Sequence, residues 1–437
     1  VGDVLCTKQN SVLEREKWKE KLKYLTLGDM PLAPSGVGIQ SRNMIEALLK
    51  SGKFQVISLG GAIKHKKYNP IKTEEYGDDW IVFPVDSHGT PEVVRSIMRK
   101  HRPDVVWFMT DPRFWEWLWA IEHEIRPLAP MLYYHVWDNY PLPKFNKRYY
   151  ESNDKVITIS KVTSDIVQNV APDVDEEYLP HAVDTEIFKK LDEEKVTEFT
   201  INSMRGMYDE NKMVFFWNNR NARRKQSGTV IWWFKEFLDE VGRDKATLVM
   251  HTDPKDVHGP DLEAILEELD LNNGEVMISS AKVDPTRLSY MYNMADCTIN
   301  IADAEGFGLA TFESLACETP IVVTMTGGLQ EQVTDGENWF GVGIQPASRV
   351  VIGSQQVPYI YEDRVSKEDF INAMKLMLNA SEEERQEMGR KGREHVVANY
   401  GFDKFEKRWV EIFLETYKKY GSWETRRNYK SWSLTEV

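Results

Sequence analysis

Two glutamates, Glu305 and Glu313, bracket the stretch EGFGLATFE at residues 305–313. An apolar, strand-like run precedes them at 297–302 and another apolar run follows at 314–323. The pattern predicts a strand-to-helix turn with the helix starting near Gly308. Eight residues is a little over two helical turns. Glu313 then sits inside the helix and Glu305 on the loop before it. The amides of Gly306, Phe307, Gly308, Leu309 and Ala310 lie between the two carboxylates. Acids near a helix start can simply answer its dipole. Facing one crevice, the same groups have a chemistry: helix-start amides suit an anion, and carboxylates accept hydrogen bonds from neighbouring hydroxyls.

Other stretches supply complementary groups. Residues 217–226, WNNRNARRKQ, follow an apolar run and place Arg220 and Lys225 five apart. Two fixed cations at a strand end suit a diphosphate, the arginine as a fork and the lysine as a point charge. Four basic residues in six can also make a solvated loop. Gly36 and Gly38, after the first apolar run, would let backbone approach a ligand. They lack the third glycine and the acid of a dinucleotide fingerprint, and a plain turn explains them as well. His135 ends an apolar run and precedes Asp138 by three residues. A histidine there either packs or faces a cleft.

The elements that must hold these groups are legible as alternation. Apolar runs at 23–30, 54–60, 80–85, 104–110, 131–137 and 155–160 read as strands, with helical patterns at 39–52, 91–102, 114–125 and 160–170 between them. A second series follows, with strands near 213–219, 247–252, 275–280, 297–302, 321–325 and 339–344. The fold class expected is α/β: two doubly wound, Rossmann-like domains facing a cleft, where ligands bind beyond the carboxyl ends of the strands. The boundaries expected are 1–185, 186–400 and a helical tail at 401–437. Residues 345–363 read as an inserted loop or hairpin.

The chain has 437 residues, 41% of them apolar, and no apolar run of membrane-spanning length. The N-terminus shows no secretory pattern, and Cys6, Cys297 and Cys317 have no paired spacing, so a reducing, cytoplasmic setting is expected without a zinc site. Net charge is +4 over residues 1–150, −20 over 151–400 and +2 over 401–437. The front of the chain is therefore its basic part.

Taken together, these residues resemble the retaining GT-B glycosyltransferases that carry an E-x7-E motif, the group of sucrose and glycogen synthases and lipid-glycan mannosyltransferases. Glu305 and Glu313 match that motif. Residues 219–226 resemble its G-R-x4-K motif, with Asn219 in place of the glycine. Residues 35–44 resemble the glycine-rich loop, 133–138 the strand-end histidine motif, and 178–188 the segment entering the second domain. The resemblance implies a nucleoside-diphosphate sugar, UDP- or GDP-linked, as co-substrate, with no cofactor and no metal. Arg220 and Lys225 would hold the diphosphate and Glu313 the ribose. Glu305, with the amides that follow it, would hold the transferred sugar. Gly36 and Gly38 would close over the donor, and His135 would touch the sugar near the reacting carbon. The last helix would cross back to the first domain.

The acceptor is expected to be a hydroxyl on a glycan or other sugar, bound by the first domain. Basic residues interleaved with aromatics, Lys66, Lys67, Lys147 and Arg148, raise a second acceptor, a hydroxylated base in DNA. Asp138 is a further acceptor-side candidate. A peripheral membrane acceptor finds no helix with a clean apolar face opposite a basic one. An epimerase or a non-catalytic nucleotide-sugar-binding protein is the alternative outside transfer chemistry.

Overall fold

The computed structural model describes residues 21–204 and 206–429. Cys6, the N-terminal stretch and the end of the tail lie outside the described residues.

The first domain is an eight-stranded sheet. Its strands are β1 (Leu22–Asp29), β2 (Phe54–Gly61), β3 (Ile71–Lys72), β4 (Trp80–Pro84), β5 (Val105–Met109), β6 (Met131–His135), β7 (Lys155–Thr158) and β8 (Glu176–Tyr178). Their order is β3-β4-β2-β1-β5-β6-β7-β8, and only the two-residue edge strand β3 pairs antiparallel. The chain works outward from β1 in one direction and then from β5 in the other, so the order reverses between them. β5 and β6 are buried along their whole length, as strands covered on both faces must be.

The second domain repeats the plan with β9 (Met213–Asn218), β10 (Ala246–His251), β11 (Val276–Ser279), β12 (Cys297–Asn300), β13 (Ile321–Thr324) and β14 (Gly341–Ile344). These six parallel strands run in the order β11-β10-β9-β12-β13-β14, with the reversal between β9 and β12. Between the two sheets lies residue stretch 179–212, which includes the Glu193–Ser203 helix capped by Asp192. Local pattern had not marked that helix, nor β3 and β8.

One local expectation is corrected, and an open one is resolved. The aromatic stretch 114–125 is not one helix but short turns at Pro112–Phe114, Glu116–Trp119 and Glu122–Ile125. Trp115 and Trp119 are both pulled into the core, where Trp119 stacks on Tyr149 at 4.6 Å, and that packing overrides the helical period. Residues 345–363 form a hairpin proper, β15 (Ser348–Ile352) with β16 (Ile360–Arg364), paired Ser348 to Arg364.

After the hairpin come three helices, Lys367–Asn379, Glu382–Tyr400 and, in the tail, Phe402–Tyr420. The last crosses onto the first domain. Trp409 meets Tyr134 edge-on at 4.9 Å and Trp107 at 6.0 Å, and Phe413 meets Tyr24 at 4.5 Å. Arg408 forks onto Glu177 at 2.6 and 3.0 Å, and Lys419 reaches Asp175 at 2.7 Å. One apolar cluster thus runs from Tyr24, Trp107 and Tyr134 through Trp409 to Phe307 and Phe312 of the second domain. Replacing Trp409 with Ala should cost about 3–5 kcal/mol, the range for a large buried aromatic. Urea unfolding followed by tryptophan fluorescence should show a clearly lowered midpoint.

Candidate functional site

Both order reversals face the same cleft, of about 990 Å³, between the domains. Its first-domain wall includes Asp29 at the end of β1 and Asp111 and Arg113 after β5; the second-domain wall includes Asn218 to Arg220 after β9 and Ala304 to Ala310 after β12. Residues after strands at a reversal have no crossover helix above them, which leaves the space open.

Gly308 starts the Leu309–Ala316 helix with φ 92°, and no side chain caps that end. The left-handed backbone turns the loop sharply and leaves the first-turn amides to the cleft. A Cβ at Gly308 would lie 2.7 Å from the Leu329 side chain, so the position has no room for another residue. Behind it, the amide of Gly328 donates to the Glu305 carbonyl at 3.0 Å, which fixes the glutamate loop from below.

Glu305 is buried and paired with Lys225, with Asn300 Nδ2 also 3.5 Å from its Oε2. Arg224 contacts the Ala304 carbonyl and comes within 4.0 Å of Glu305. Burial, with Arg224 beside it, pushes the Lys225 ammonium well below its ordinary value, while Asp138 pulls the other way. Glu313, one helix turn further in, accepts from Tyr292 Oη at 2.7 Å, and Asn218 in turn donates to that hydroxyl at 2.7 Å. Burial pushes the Glu313 carboxyl up to about 7 despite the tyrosine. Arg220 lines the cleft with its guanidinium forked onto Asp256 at 2.6 and 3.2 Å. Its Nη2 also lies 2.7 Å from His258 Nδ1, and with its side chain 61% exposed the Asp256 pair is screened by solvent.

Of the residues singled out from sequence, Gly36, Asp138, Arg220, Lys225, Gly306, Phe307, Gly308, Leu309, Ala310, Glu305 and Glu313 all line this cleft. Gly36 approaches from the opposite domain, where a Cβ would lie 3.4 Å from Leu309 Cδ1. Phe307 lines the wall chiefly as packing, stacked on Phe312 at 4.7 Å. Asp138 sits at the domain junction, and burial raises its carboxyl to about 6 against the pull of Arg224 and Lys225.

Several expectations are corrected. His135 does not reach the cleft. It is fully buried, its Nδ1 3.0 Å from Tyr133 Oη and its Nε2 2.9 Å from Tyr150 Oη. Burial drives its pKa down to about 3, so the ring is neutral. Side chains alternate along a strand, and Tyr133 and His135 share the face turned into the first domain's core. The histidine that does line the cleft is His181, beside Phe307 at 4.9 Å. Gly38 also lies off the wall; a Cβ there would meet Met30 O at 2.8 Å, so it serves the tight turn that Ser35 caps. Lys66, Lys67, Lys147 and Arg148 are exposed and none lines the cleft. Lys147 pairs with Glu151 at 3.7 Å, and Arg148 lies over the ring of Tyr149.

Sequence reasoning missed the hairpin's part. Ile352, Gly353, Ser354, Val357, Ile360 and Glu362 all line the cleft. The hairpin is tied to the first domain by Tyr361 N donating to Tyr140 O at 2.6 Å and Asn139 Nδ2 donating to Tyr361 O at 2.9 Å. Its base is tied to the cation loop, Arg223 forking onto the buried Glu362 at 2.8 and 2.6 Å.

Comparison with known proteins bears on the family and the fold. Residues 258–395 match the family of glycosyl transferases group 1. The matched residues lie within the second domain, from the loop after β10 to the Glu382–Tyr400 helix. A D-inositol 3-phosphate glycosyltransferase of Acidothermus cellulolyticus is 41% identical over 69 residues, 16% of this chain, and that stretch spans only 15% of the relative. A second, from Catenulispora acidiphila, is 43% identical over 56 residues, 13% of each chain. Among solved structures, a sucrose-phosphate synthase of Thermosynechococcus elongatus superposes with TM-score 0.73 at 16% identity, covering 91% of this chain and 100% of that one. HepE of Anabaena, solved with UDP and glucose, gives TM-score 0.66 at 13% identity, over 90% of this chain and 100% of that one. The two-domain architecture is therefore the GT-B fold, and the group 1 match lies within its second domain.

The raised Asp138 carboxyl and the lowered Lys225 ammonium make one prediction together. An anion bound between them raises both pKa values, so binding takes up protons. Affinity for an anion that does not itself titrate here, such as sulfate, should therefore weaken as pH rises above about 6, the value to which burial raises Asp138. Calorimetry in buffers of different ionisation enthalpy should show net proton uptake. Proton release on binding would contradict the electrostatics described.

Proposed function

We propose that this chain is a retaining glycosyltransferase. It moves a sugar from a nucleoside-diphosphate sugar, UDP- or GDP-linked, to a hydroxyl of a sugar or sugar-phosphate acceptor. The observation that carries this reading is the meeting, in one cleft, of Lys225, Arg220, the uncapped start of the Leu309–Ala316 helix and two carboxylates.

Each group has a physical task. Lys225 and the helix-start amides hold the diphosphate and offset the charge that develops on it as the sugar leaves. Arg220, turning from Asp256, adds a fork. Glu313, held by Tyr292, accepts the ribose hydroxyls. Glu305 accepts hydroxyls of the transferred sugar. Because Glu305 is tied to Lys225, it is a poor nucleophile, which favours front-face attack by the acceptor with retained configuration. The cations and amides supply the neutralisation that a metal otherwise would. The neighbour solved with UDP and glucose supports a sugar nucleotide, and the names of the inositol-phosphate and sucrose-phosphate relatives support a phosphorylated polyol acceptor.

The basic clusters around Lys66 and Lys147 do not line the cleft, and the hairpin occupies part of its mouth. Both facts favour a small acceptor over a DNA base.

A thermal-shift panel of UDP-, GDP- and ADP-sugars tests the donor. At a hundredfold excess over Kd the matching nucleotide should add about 2.7 kcal/mol of stability and raise Tm by a few degrees. Proton NMR of the transfer product should then show the donor's anomeric configuration. No shift with any nucleotide, or an inverted product, would contradict the proposal.

A further inference from the structure

Asp29 and His88 take no part in the donor chemistry above, yet they form a built arrangement on the opposite wall. Asp29 ends β1, at the first domain's order reversal, and lines the cleft. Its Oδ2 accepts from Ser35 Oγ at 2.8 Å, and Ser35 Oγ is itself fixed by the Gly38 amide at 3.0 Å. Its Oδ1 stands 3.5 Å from Nε2 of His88.

His88 is 5% exposed and lies in the loop after β4, against Phe114 at 4.6 Å and Trp115 at 5.3 Å. Neither ring nitrogen has a hydrogen-bond partner among the described residues. An unsatisfied buried ring costs free energy and calls for an explanation. The Asp29 carboxylate lies within reach of it.

We infer that Asp29 is the acceptor-hydroxyl subsite of the cleft, with His88 as the positioning residue behind it. This rests on the glycosyltransferase reading and goes further by naming the residue that holds the acceptor. A carboxylate offers about four lone-pair sites. Ser35 uses one and the His88 N–H, tightening from 3.5 Å, uses another. The remainder face the cleft, where only a hydrogen-bond donor is welcome. A phosphate is repelled there; a polyol hydroxyl is not. The ligand class is therefore a polyol, its sugar ring toward Asp29 and any phosphate turned away from it. The backbone joins this subsite to the donor wall, since Gly36, next to Ser35, abuts Leu309 of the second domain.

The test uses the full chain saturated with UDP or GDP, whichever binds in a separate titration. Saturation-transfer NMR then follows D-glucose 6-phosphate and D-inositol 3-phosphate as acceptor probes. Asp29→Asn should weaken binding of a probe that the wild type binds at least tenfold, with nucleotide Kd changed less than twofold. His88→Phe keeps the aromatic packing and removes the nitrogens. It should weaken the same probe several-fold without lowering Tm, which a purely structural role would not do. Unchanged probe affinity in both variants, equal losses of nucleotide and probe affinity in Asp29→Asn, or a wild type that binds neither probe would overturn the inference. If neither nucleotide binds the wild type, the glycosyltransferase reading itself falls, and the titration shows that separately.

Discussion

A buried ion pair between Lys225 and Glu305 holds the site together. The two residues follow β9 and β12, the adjacent strands at which the second sheet reverses its order. Pairing them locks the cation loop to the glutamate loop at the place where the sheet leaves a crevice. Breaking a buried pair by removing one partner leaves an uncompensated charge, typically at about 3–5 kcal/mol. That cost keeps each group in place. Lys225, desolvated and next to Arg224, gains from any anion that enters. The pair thus fixes a cation beside the uncapped start of the Leu309–Ala316 helix.

The second constraint is that this crevice needs a wall. The first domain supplies it through close backbone approaches rather than long side chains. Gly36 meets Leu309, and a Cβ at Gly306 would lie 3.0 Å from the Val136 carbonyl. Glu331, in the second domain, accepts from the Lys161 amide at 2.8 Å and the Tyr178 hydroxyl at 2.9 Å. The hairpin and the crossing Phe402–Tyr420 helix fasten the domains from two further directions. Glycines therefore mark the cleft on both sides for one reason: two loops pass too near for side chains.

Much of this was legible locally. Strands covered on both faces are near-continuous apolar runs, so β5, β6, β12 and β13 announce themselves. The glutamate spacing is local too, since a helix fixes where Glu313 stands relative to Gly308. What failed depended on tertiary facts. The face to which His135 points follows from the parity of β6, and the value of a strand end follows from strand order. β6 is not at the reversal; β1 is, which is why Asp29 faces the cleft and His135 does not. The basic clusters were real in composition, but nothing local tells which surface they decorate. The hairpin was recognised as an insertion, while its place at the cleft mouth depends on contacts with Tyr140 and Asn139 that no short window contains.

The most direct measurement is a crystal structure of the full chain with a sugar nucleotide bound. The account predicts the diphosphate between Lys225 Nζ and the amides at the start of the Leu309–Ala316 helix, the ribose on Glu313 and the sugar against Glu305. A nucleotide seated elsewhere, or a diphosphate that leaves Lys225 paired with Glu305 alone, would contradict it.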